Sequence, residues 1–261
     1  MRISLVGGGA MGGALLNGWL AAGHRAQDIQ VVEPDAGRAV QLREQYGVRI
    51  EKLETLRPGD VVVVAVKPHH VVEVLSGLSE GLASQTLVVS IAAGVSLSTL
   101  QDALPKDQPV FRVMPNTPAL LGKGMTGIAP GAATEPAHVD KVTELLEAVG
   151  KVRVVEEKDM DALTALSGSG PAYLFYVADA MIEAGVHQGL TRDEAATLVN
   201  QTFVGAAAML SEAGDSASVL RERVTSPAGT TAAALRALDD HGVRAGFLAA
   251  VEACVQRSRQ L

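Results

Sequence analysis

Glycine spacing near the start of the chain is the first pattern that could do chemistry. Gly7–Gly12 reads GGGAMG and lies between a short apolar run, Arg2–Val6, and a helical pattern over Gly13–Ala22. This is G-x-G-x-x-G between a strand and a helix, the context in which the motif holds a pyrophosphate. Gly7 permits the tight turn, Gly9 lets phosphates approach the backbone, and Gly12 lets the helix pack on the strand. The segment therefore predicts a dinucleotide site.

An acidic residue follows at the spacing expected for a ribose contact. A second apolar run, Ile29–Val32, ends at Glu33, which lies 21 residues beyond Gly12. A carboxylate there accepts a hydrogen bond from the ribose of NAD, whereas the nearby Arg38 could bind the 2′-phosphate of NADP. Two alternatives to a dinucleotide site are a ligand-free glycine turn and a signal peptide. The many glycines and the lack of a clear cleavage site argue against the signal peptide.

Composition narrows the classes of function. The 261 residues hold 22 Lys and Arg against 29 Asp and Glu, a net charge of −7, so the basic footprint of a nucleic-acid binder is missing. The longest strictly aliphatic run, Val61–Val66, is too short to cross a bilayer. Cys254 is the only cysteine, which excludes an internal disulfide and fits a cytoplasmic location. No histidine or cysteine spacing indicates a metal site.

The elements that would position these residues alternate between strand and helix in the first part of the chain. Strands are predicted at 2–6, 29–32, 48–50, 60–66, 86–91, 110–114, 125–129 and 151–155. Helical patterns separate them, which predicts an α/β fold with a Rossmann-type doubly wound parallel sheet over residues 1–157. Residues 158–261 show only helical patterns and are predicted to form an all-helical C-terminal domain.

The first long helix of that second domain suggests contact between subunits. It begins at Pro171 and is apolar almost all round, so it is expected to bury more than one face. A chain of this size has little to cover it with, which favours packing against a second copy. The alternative is a helix that lies at the centre of a bundle within one chain.

Five further segments combine small or polar residues with strand ends and helix starts. Ala65–Pro68, Ser90–Gly94 and Arg112–Ala119 each follow a strand, at the sheet edge where such folds bind ligands. In the last of these, Asn116 suits the carboxamide of a nicotinamide ring. Two segments that open helices, Leu166–Ala172 and Ser226–Thr231, resemble anion sites. For each segment the alternative is a purely structural turn or cap.

Together these segments resemble the pyrroline-5-carboxylate reductase family. The resemblance covers nearly the whole chain and is most specific in the SGSGPA and SP-x-GTT segments. It rests on Gly7–Gly12, Ala65–Pro68, Ser90–Gly94, Met114–Pro118, Leu166–Tyr173, Glu183–Val186 and Ser226–Thr231. It implies the reduction of L-1-pyrroline-5-carboxylate to L-proline with NADPH or NADH, the last step of proline biosynthesis. It also implies a homodimer formed by the helical domain and assembled into a homodecamer.

The resemblance further assigns site residues. The resemblance implies cofactor contacts at Gly7, Gly9, Met11, Gly12, Ala65, Val66, Lys67, Pro68 and Ala93. Glu33, suggested by the dinucleotide motif, and Asn116, suggested by the proline-flanked loop, complete the predicted cofactor site. The substrate carboxylate would lie on the backbone of Gly229, Thr230 and Thr231, with the Thr231 hydroxyl reaching the ring nitrogen as the catalytic group. Glu157, at the predicted domain junction, is a further substrate candidate.

This sequence departs from the family pattern in two places. Asp179 and Glu183 exchange the acids that many relatives carry in the first long helix, and Ala228 replaces a glycine of the family's SPGG. Because alanine does not easily adopt positive φ, the geometry of the substrate loop is in question.

Two other functions fit the same two-domain plan. A β-hydroxyacid dehydrogenase would need a general acid, usually a lysine on the long helix, and residues 171–189 contain none. A nucleotide-binding redox sensor would bind the cofactor without reducing an imine.

Overall fold

The structure, a computed structural model, describes residues 1–260 and divides into two compact units. The first unit comprises Met1–Ser169 together with the chain from Cys254 onward, and the second comprises Gly170–Ala253. The two units meet along the chain at Ser169 and Gly170. The predicted domain boundary after residue 157 stays a prediction. The end of the chain belongs with the first unit, whereas the sequence placed it with the helical domain.

One eight-stranded sheet forms the centre of the first unit. Its strands are β1 (Ile3–Val6), β2 (Ile29–Val32), β3 (Arg49–Glu51), β4 (Val61–Val64), β5 (Leu87–Ser90), β6 (Val110–Met114), β7 (Gly124–Pro130) and β8 (Gly150–Val154). Their order across the sheet is β3-β2-β1-β4-β5-β6-β7-β8. Strand order reverses between β1 and β4, which is the point where open α/β sheets bind ligands at the carboxyl ends of their strands.

Six helices belong to the first unit. They are α1 (Ala10–Ala21), α2 (Ala36–Tyr46), α3 (Val71–Leu78), α4 (Leu97–Asp102), α5 (Pro136–Glu147) and α6 (Met160–Leu163). Two clusters of buried aliphatic side chains pack against the sheet. The single tryptophan, Trp19, is fully buried in one of them, and its indole N–H donates to the Leu145 carbonyl at 2.9 Å. The strands β1, β2, β4 and β5 are buried throughout, as central parallel strands must be.

The sheet is doubly wound and mostly parallel, as predicted, with one antiparallel pair of strands that the sequence analysis did not foresee. β7 runs antiparallel to β6, and β8 is parallel to β7. Residues 115–123 connect β6 to β7, and their only helical element is a short 3-10 turn at Thr117–Leu121. A parallel connection needs a crossover of a dozen or more residues, so this link is too short and the chain turns back.

The second unit is helical throughout. Its helices are α7 (Gly170–His187), α8 (Arg192–Glu212), α9 (Ala217–Arg223), α10 (Thr230–Asp240) and α11 (Val243–Ser258), the last turn of α11 being grouped with the first unit. A reciprocal capping box between Thr191 and Glu194 begins α8. Hydrogen bonds from the Thr191 side chain and backbone hold the pKa of Glu194 below its ordinary value.

Much of the apolar surface of the second unit is exposed. α7 has no buried residue, and it carries Phe175 at 70% and Tyr176 at 79% exposure. The alternative of a helix central to a bundle within one chain is therefore wrong. An apolar cavity of about 680 Å³ lies between α7, α10 and the start of α11. Among the described residues, no helix is both long and apolar enough to span a membrane.

Candidate active site

The glycine turn after β1 has the geometry that its spacing predicts. Gly7 has φ 102°, and a Cβ there would lie 2.5 Å from the Ala65 carbonyl oxygen. A Cβ on Gly12 would collide with the Gly7 carbonyl oxygen. Both positions therefore require glycine, one for its backbone conformation and both for the close approach of neighbouring backbone.

Gly9 differs from these two glycines because nothing fills the space beside it. No heavy atom lies within 4 Å of the position that a Cβ on Gly9 would occupy. Gly9 is the N-cap of α1 and has no side-chain cap, so the first N–H groups of the helix face this open space. A cradle of free N–H groups at a helix N-terminus fits a pyrophosphate. The described residues thus fit the dinucleotide that the motif predicts.

Glu33 and Arg38 lie against the same turn. The Glu33 carboxylate accepts hydrogen bonds from the backbone N–H of Gly8 at 2.8 Å and of Asp35 at 2.9 Å. Arg38 donates from Nε to the Gly8 carbonyl oxygen at 2.7 Å. Both side chains predicted to contact the ribose or its 2′-phosphate therefore also hydrogen-bond the backbone of the glycine turn, a role that the sequence did not reveal.

The loops after β4 and β5 reach the same edge of the sheet as the glycine turn. The Ala65 N–H donates to the Val6 carbonyl at 2.7 Å, and the Ile91 N–H donates to the Val64 carbonyl at 3.0 Å. Ala65, Val66 and Ala93 are partly exposed there, and Lys67 and Pro68 are exposed. The candidate cofactor residues of these loops are thus brought to one edge, as predicted.

Asn116 occupies a different setting from the one its sequence context suggests. Its side chain is 9% exposed, its Oδ1 accepts from the Met125 N–H at 2.8 Å, and its Nδ2 donates to the Ser167 carbonyl at 2.9 Å. Both ends of the amide are bonded within the protein. A contact with a nicotinamide carboxamide stays a prediction.

Glu157 is held by an ion-pair network that sequence reasoning missed. Its Oε1 accepts from the Leu97 N–H at 2.5 Å and lies 3.4 Å from Arg112. Arg112 is 11% exposed and also lies 3.5 Å from Asp161. The available signal was an arginine inside the otherwise apolar strand β6. The adjacent Lys158 is exposed, and its hydrogen bond and ion pair with Glu156 raise its pKa.

The substrate-loop candidates begin α10 in the second unit. The Gly229 N–H donates to the Ser226 carbonyl at 3.1 Å, so this amide closes a turn and is engaged. Thr230 and Thr231 are the first residues of the helix, where N–H groups have no partner within the helix. Of the three predicted amides, two remain for an anion.

Ala228 adopts the conformation that the sequence suggested it would resist. Its φ is 57°. Pro227 precedes it at the second position of the turn from Ser226 to Gly229, and positive φ at the third position is what a type II turn requires. The turn therefore imposes its geometry on an alanine.

The candidates fall into two groups. All the cofactor residues and Glu157 lie in the first unit, and Gly229–Thr231 lies in the second. Within residues 1–260 no cluster of three or more His, Cys, Asp or Glu side chains could hold a metal ion.

The fold and the glycine turn define a Rossmann-type dinucleotide-binding protein with a helical second unit. Residues 157–261 match the family model for pyrroline-5-carboxylate reductase dimerisation. Residues 2–94 match the model described as NADP oxidoreductase, coenzyme F420-dependent.

Full-length relatives agree with these matches. A pyrroline-5-carboxylate reductase of Corynebacterium melassecola is 44% identical, over 99% of this chain and 98% of the relative. The structure of such a reductase from Coxiella burnetii superposes with a TM-score of 0.95 at 35% identity, over 99% of this chain and 97% of that one. A Plasmodium falciparum pyrroline carboxylate reductase solved with NADP bound gives 0.88 at 29% identity, over 100% and 97%. The chain belongs to the pyrroline-5-carboxylate reductase family.

Proposed function

We propose that this protein reduces L-1-pyrroline-5-carboxylate to L-proline with NADPH, NADH being an alternative donor. The observation that carries the proposal is identity of 44% over nearly the full length of a named reductase, combined with an open pyrophosphate cradle at Gly9. A relative solved with NADP bound supports the phosphorylated cofactor. When bound, the reduced nicotinamide supplies the hydride that reduces the imine carbon.

The chain's own residues supply binding and orientation. The N–H groups at the start of α1 bind the pyrophosphate, and the loops Ala65–Pro68 and Ser90–Gly94 line the same edge of the sheet. In the second unit, the amides of Thr230 and Thr231 and the positive end of the α10 dipole bind the substrate carboxylate. Placing a small anion at a helix N-terminus fixes the orientation of the ring.

The absence of a strong general acid among the candidate residues is consistent with this chemistry. A cyclic iminium already carries the positive charge that draws the hydride, so no developing alkoxide needs a proton donor. The Thr231 hydroxyl is proposed to hydrogen-bond the ring nitrogen and to hold its proton. The lack of a lysine in α7 disfavours a β-hydroxyacid dehydrogenase.

The proposal includes a homodimer formed through the second unit, five of which assemble into a homodecamer. The match of residues 157–261 to a dimerisation model supports the dimer, as do the exposed aromatic side chains of α7. The decamer rests on the family resemblance. A cytoplasmic location, with no membrane or nucleic-acid partner, completes the proposal and fits the single cysteine.

A reduction assay tests the proposal. Oxidation of NADPH, followed by its absorbance, should depend on added pyrroline-5-carboxylate and yield proline, and a parallel series uses NADH. Thr231→Ala should lower kcat about 100-fold, in the range of a lost general acid–base contact, while Thr231→Ser keeps the hydroxyl and most of the activity. Cofactor binding without pyrroline-dependent turnover would favour the redox-sensor alternative. Wild-type turnover in Thr231→Ala would remove Thr231 from the mechanism.

A further inference from the structure

We propose that Asn116 is a positioning residue, which clamps the backbone around Ser167 to the sheet edge and does not read the nicotinamide carboxamide. The inference rests on the proposed function, because its consequence for turnover is measured in the pyrroline reaction. Its structural part, the clamp, stands on contacts within the first unit alone.

The two hydrogen bonds of the Asn116 amide join two segments far apart in sequence. Oδ1 accepts from the N–H of Met125, near the start of β7, and Nδ2 donates to the carbonyl of Ser167. The last paired residues of β6 and β7 are Met114 and Gly127, so Met125 lies beyond the ladder. The side chain of Asn116 thus continues the pairing that the backbone of β6 no longer supplies.

The Ser167 carbonyl cannot take the donor that an α-helix ordinarily supplies four residues on. It lies in a π-helical turn, Thr164–Gly168, which leads into the SGSGPA segment. The residue four positions beyond Ser167 is Pro171, which has no N–H to donate. Asn116 supplies a donor at 2.9 Å where the ordinary helical one is missing. The proline that opens the long helix and the asparagine of the loop are therefore complementary.

Glycines let the π-helical turn lie directly on the strands. A Cβ on Gly168 would lie 2.7 Å from the Met114 methyl carbon, and a Cβ on Gly127 would collide with the Leu163 side chain. The turn is thus packed against the ends of β6 and β7, and the Asn116 amide fixes its register there. π-helical turns occur often at functional sites, which agrees with a turn that must be held in place.

The clamp uses one of the two Nδ2 hydrogens and one Oδ1 lone pair of Asn116, and burial restricts the access of a ligand to the other two. The Nδ2 atom donates to Ser167 and Oδ1 accepts from Met125, and the side chain is buried. Its substitution should therefore disturb the reaction through the backbone of residues 164–169, by misplacing the segment that resembles the family's SGSGPA motif. A displacement of about 1 Å near the reacting groups costs up to about 100-fold in rate.

Asn116→Asp removes only the side-chain donor to Ser167, and protonation of the new carboxyl at low pH restores a donor. The side chain keeps the acceptor for Met125 but, when ionised, presents a charge to the Ser167 carbonyl; burial raises the pKa of such a carboxyl. At pH 8, kcat relative to wild type should fall about 10- to 100-fold, with KM for NADPH unchanged. At low pH the protonated carboxyl donates again, so the ratio of the two kcat values should return toward one.

A matched control replaces a second buried side-chain amide, at the opposite edge of the sheet, by a carboxyl. Gln108 is 4% exposed and donates from Nε2 to the carbonyls of Ala83 and Thr86, before β5 and β6 begin. Gln108→Glu also replaces a buried amide by a carboxyl and loses a donor to a carbonyl. It should lower stability at pH 8 without changing kcat at a temperature where both variants are folded.

A cofactor analogue separates the clamp from direct recognition. The reduced 3-acetylpyridine form of the cofactor keeps the carbonyl oxygen but has no carboxamide N–H, so it tests a contact in which Asn116 accepts from that N–H. A contact in which Asn116 donates to the carbonyl is tested by KM for NADPH. The clamp predicts the same fold-loss in kcat for Asn116→Asp with both cofactors and an unchanged KM. If the loss disappears with the analogue or falls on KM for NADPH, Asn116 reads the carboxamide and the proposal is overturned. Unchanged kcat at pH 8 overturns it as well.

Hydrogen exchange tests the clamp whether or not the proposed function holds. At pH 8 the amides of residues 164–169 should exchange faster in Asn116→Asp than in wild type, whereas those around Gln108 and that of Met125, whose acceptor is kept, should not. Wild-type exchange in the variant would overturn the clamp. Failure of the wild-type protein to reduce pyrroline-5-carboxylate would instead refute the proposed function and leave the exchange result to decide on Asn116.

Discussion

Ala228 has a left-handed backbone conformation that its turn requires but that its Cβ disfavours. A left-handed conformation costs a non-glycine L-residue about 1–2 kcal/mol, because the Cβ approaches the following carbonyl oxygen. The turn from Ser226 to Gly229 nevertheless imposes φ 57° at this position. The resemblance led us to expect a glycine here, and the alanine found in its place carries the left-handed conformation at this cost.

We expect Ala228→Gly to stabilise the protein. Relief of the left-handed strain exceeds the added backbone entropy of glycine in the unfolded chain, so the gain should be about 0.5–1 kcal/mol. Urea unfolding followed by circular dichroism measures it. Ala234→Gly, the same replacement at an exposed position inside α10, is the control and should be destabilising. An Ala228→Gly protein no more stable than wild type would show that the turn holds alanine without strain.

Glu33 is expected to affect NADPH binding in two opposite ways. Its carboxylate accepts from Gly8 and Asp35 and so holds the glycine turn, yet its negative charge disfavours a 2′-phosphate. The sequence identified the charge from its spacing, but the bracing role depends on the fold, which brings a residue 25 positions away against Gly8.

Glu33→Gln should raise the preference for NADPH over NADH. Removal of a partly exposed charge relieves repulsion worth about 1 kcal/mol, so the ratio of kcat/KM values should shift about fivefold. Both cofactors should also bind more weakly, because a glutamine has one acceptor oxygen for two backbone donors. Steady-state kinetics with each cofactor measure both effects, and Glu33→Asp, which keeps the charge, is the control. A shift toward NADH would contradict the prediction.

At the scale of elements, apolar runs and turn residues were sufficient to locate every strand of the sheet. β2 and β6 have the predicted bounds, because each is a short, mostly apolar run with a clear end on both sides: Asp28 and Glu33 flank β2, and Pro109 and Pro115 flank β6. The direction of β7 was missed, although the ten residues between the predicted strands 110–114 and 125–129 are too few for a parallel crossover. The π-helical turn was also missed, and Asn116, whose amide bonds the Ser167 carbonyl within it, lies 51 residues away in sequence.

The network around Arg112 shows what tertiary contact adds to a strand. Arg112 is nearly buried on β6 and reaches Glu157 and Asp161, and Asp161 also accepts from the Ser258 hydroxyl at 2.8 Å. These contacts tie the segment before the π-helical turn, and the end of the chain, to the sheet. An arginine at the centre of such a set is costly to remove, because its partners lose their compensating charge.

Arg112→Met should lower the free energy of unfolding by about 2 kcal/mol, less than for a fully buried pair because both carboxylates are partly exposed. Arg112→Lys should recover about half of that, since an ammonium cannot bridge two carboxylates as a guanidinium does. Trp19 is the only tryptophan and is buried in the first unit, so its fluorescence in urea reports this unit. Arg259→Met, at the exposed side of Asp161, is the control and should change stability little. Equal stability of Arg112→Met and wild type would contradict the prediction.

At the scale of the whole molecule, the sequence predicted a sheet domain followed by a helical one, and both are present. The division at Ser169 could not be predicted, because residues 157–169 and the end of the chain join the first unit through tertiary contacts. The unusual apolarity of α7 did predict a helix left uncovered by its own chain. Exposed aromatic side chains on this scale mark an interaction surface.

Phe175→Glu should dissociate the proposed dimer. Phe175 is 70% exposed in the single chain, so its replacement should disturb the isolated fold little, whereas a carboxylate buried between subunits is strongly unfavourable. Light scattering with size-exclusion chromatography should show a smaller species. The melting temperature should fall, since a folded dimer is stabilised by mass action at rising concentration.

Leu121→Glu provides the matched control for this experiment. Leu121 is 80% exposed in the first unit, outside the residues that match the dimerisation model, and its replacement should leave the dimer intact. A smaller particle that is still a dimer after Leu121→Glu would indicate that this loop joins dimers into the decamer. A dimer that survives Phe175→Glu would show that α7 does not form the subunit interface, and the exposed apolar surface of the second unit would need another partner.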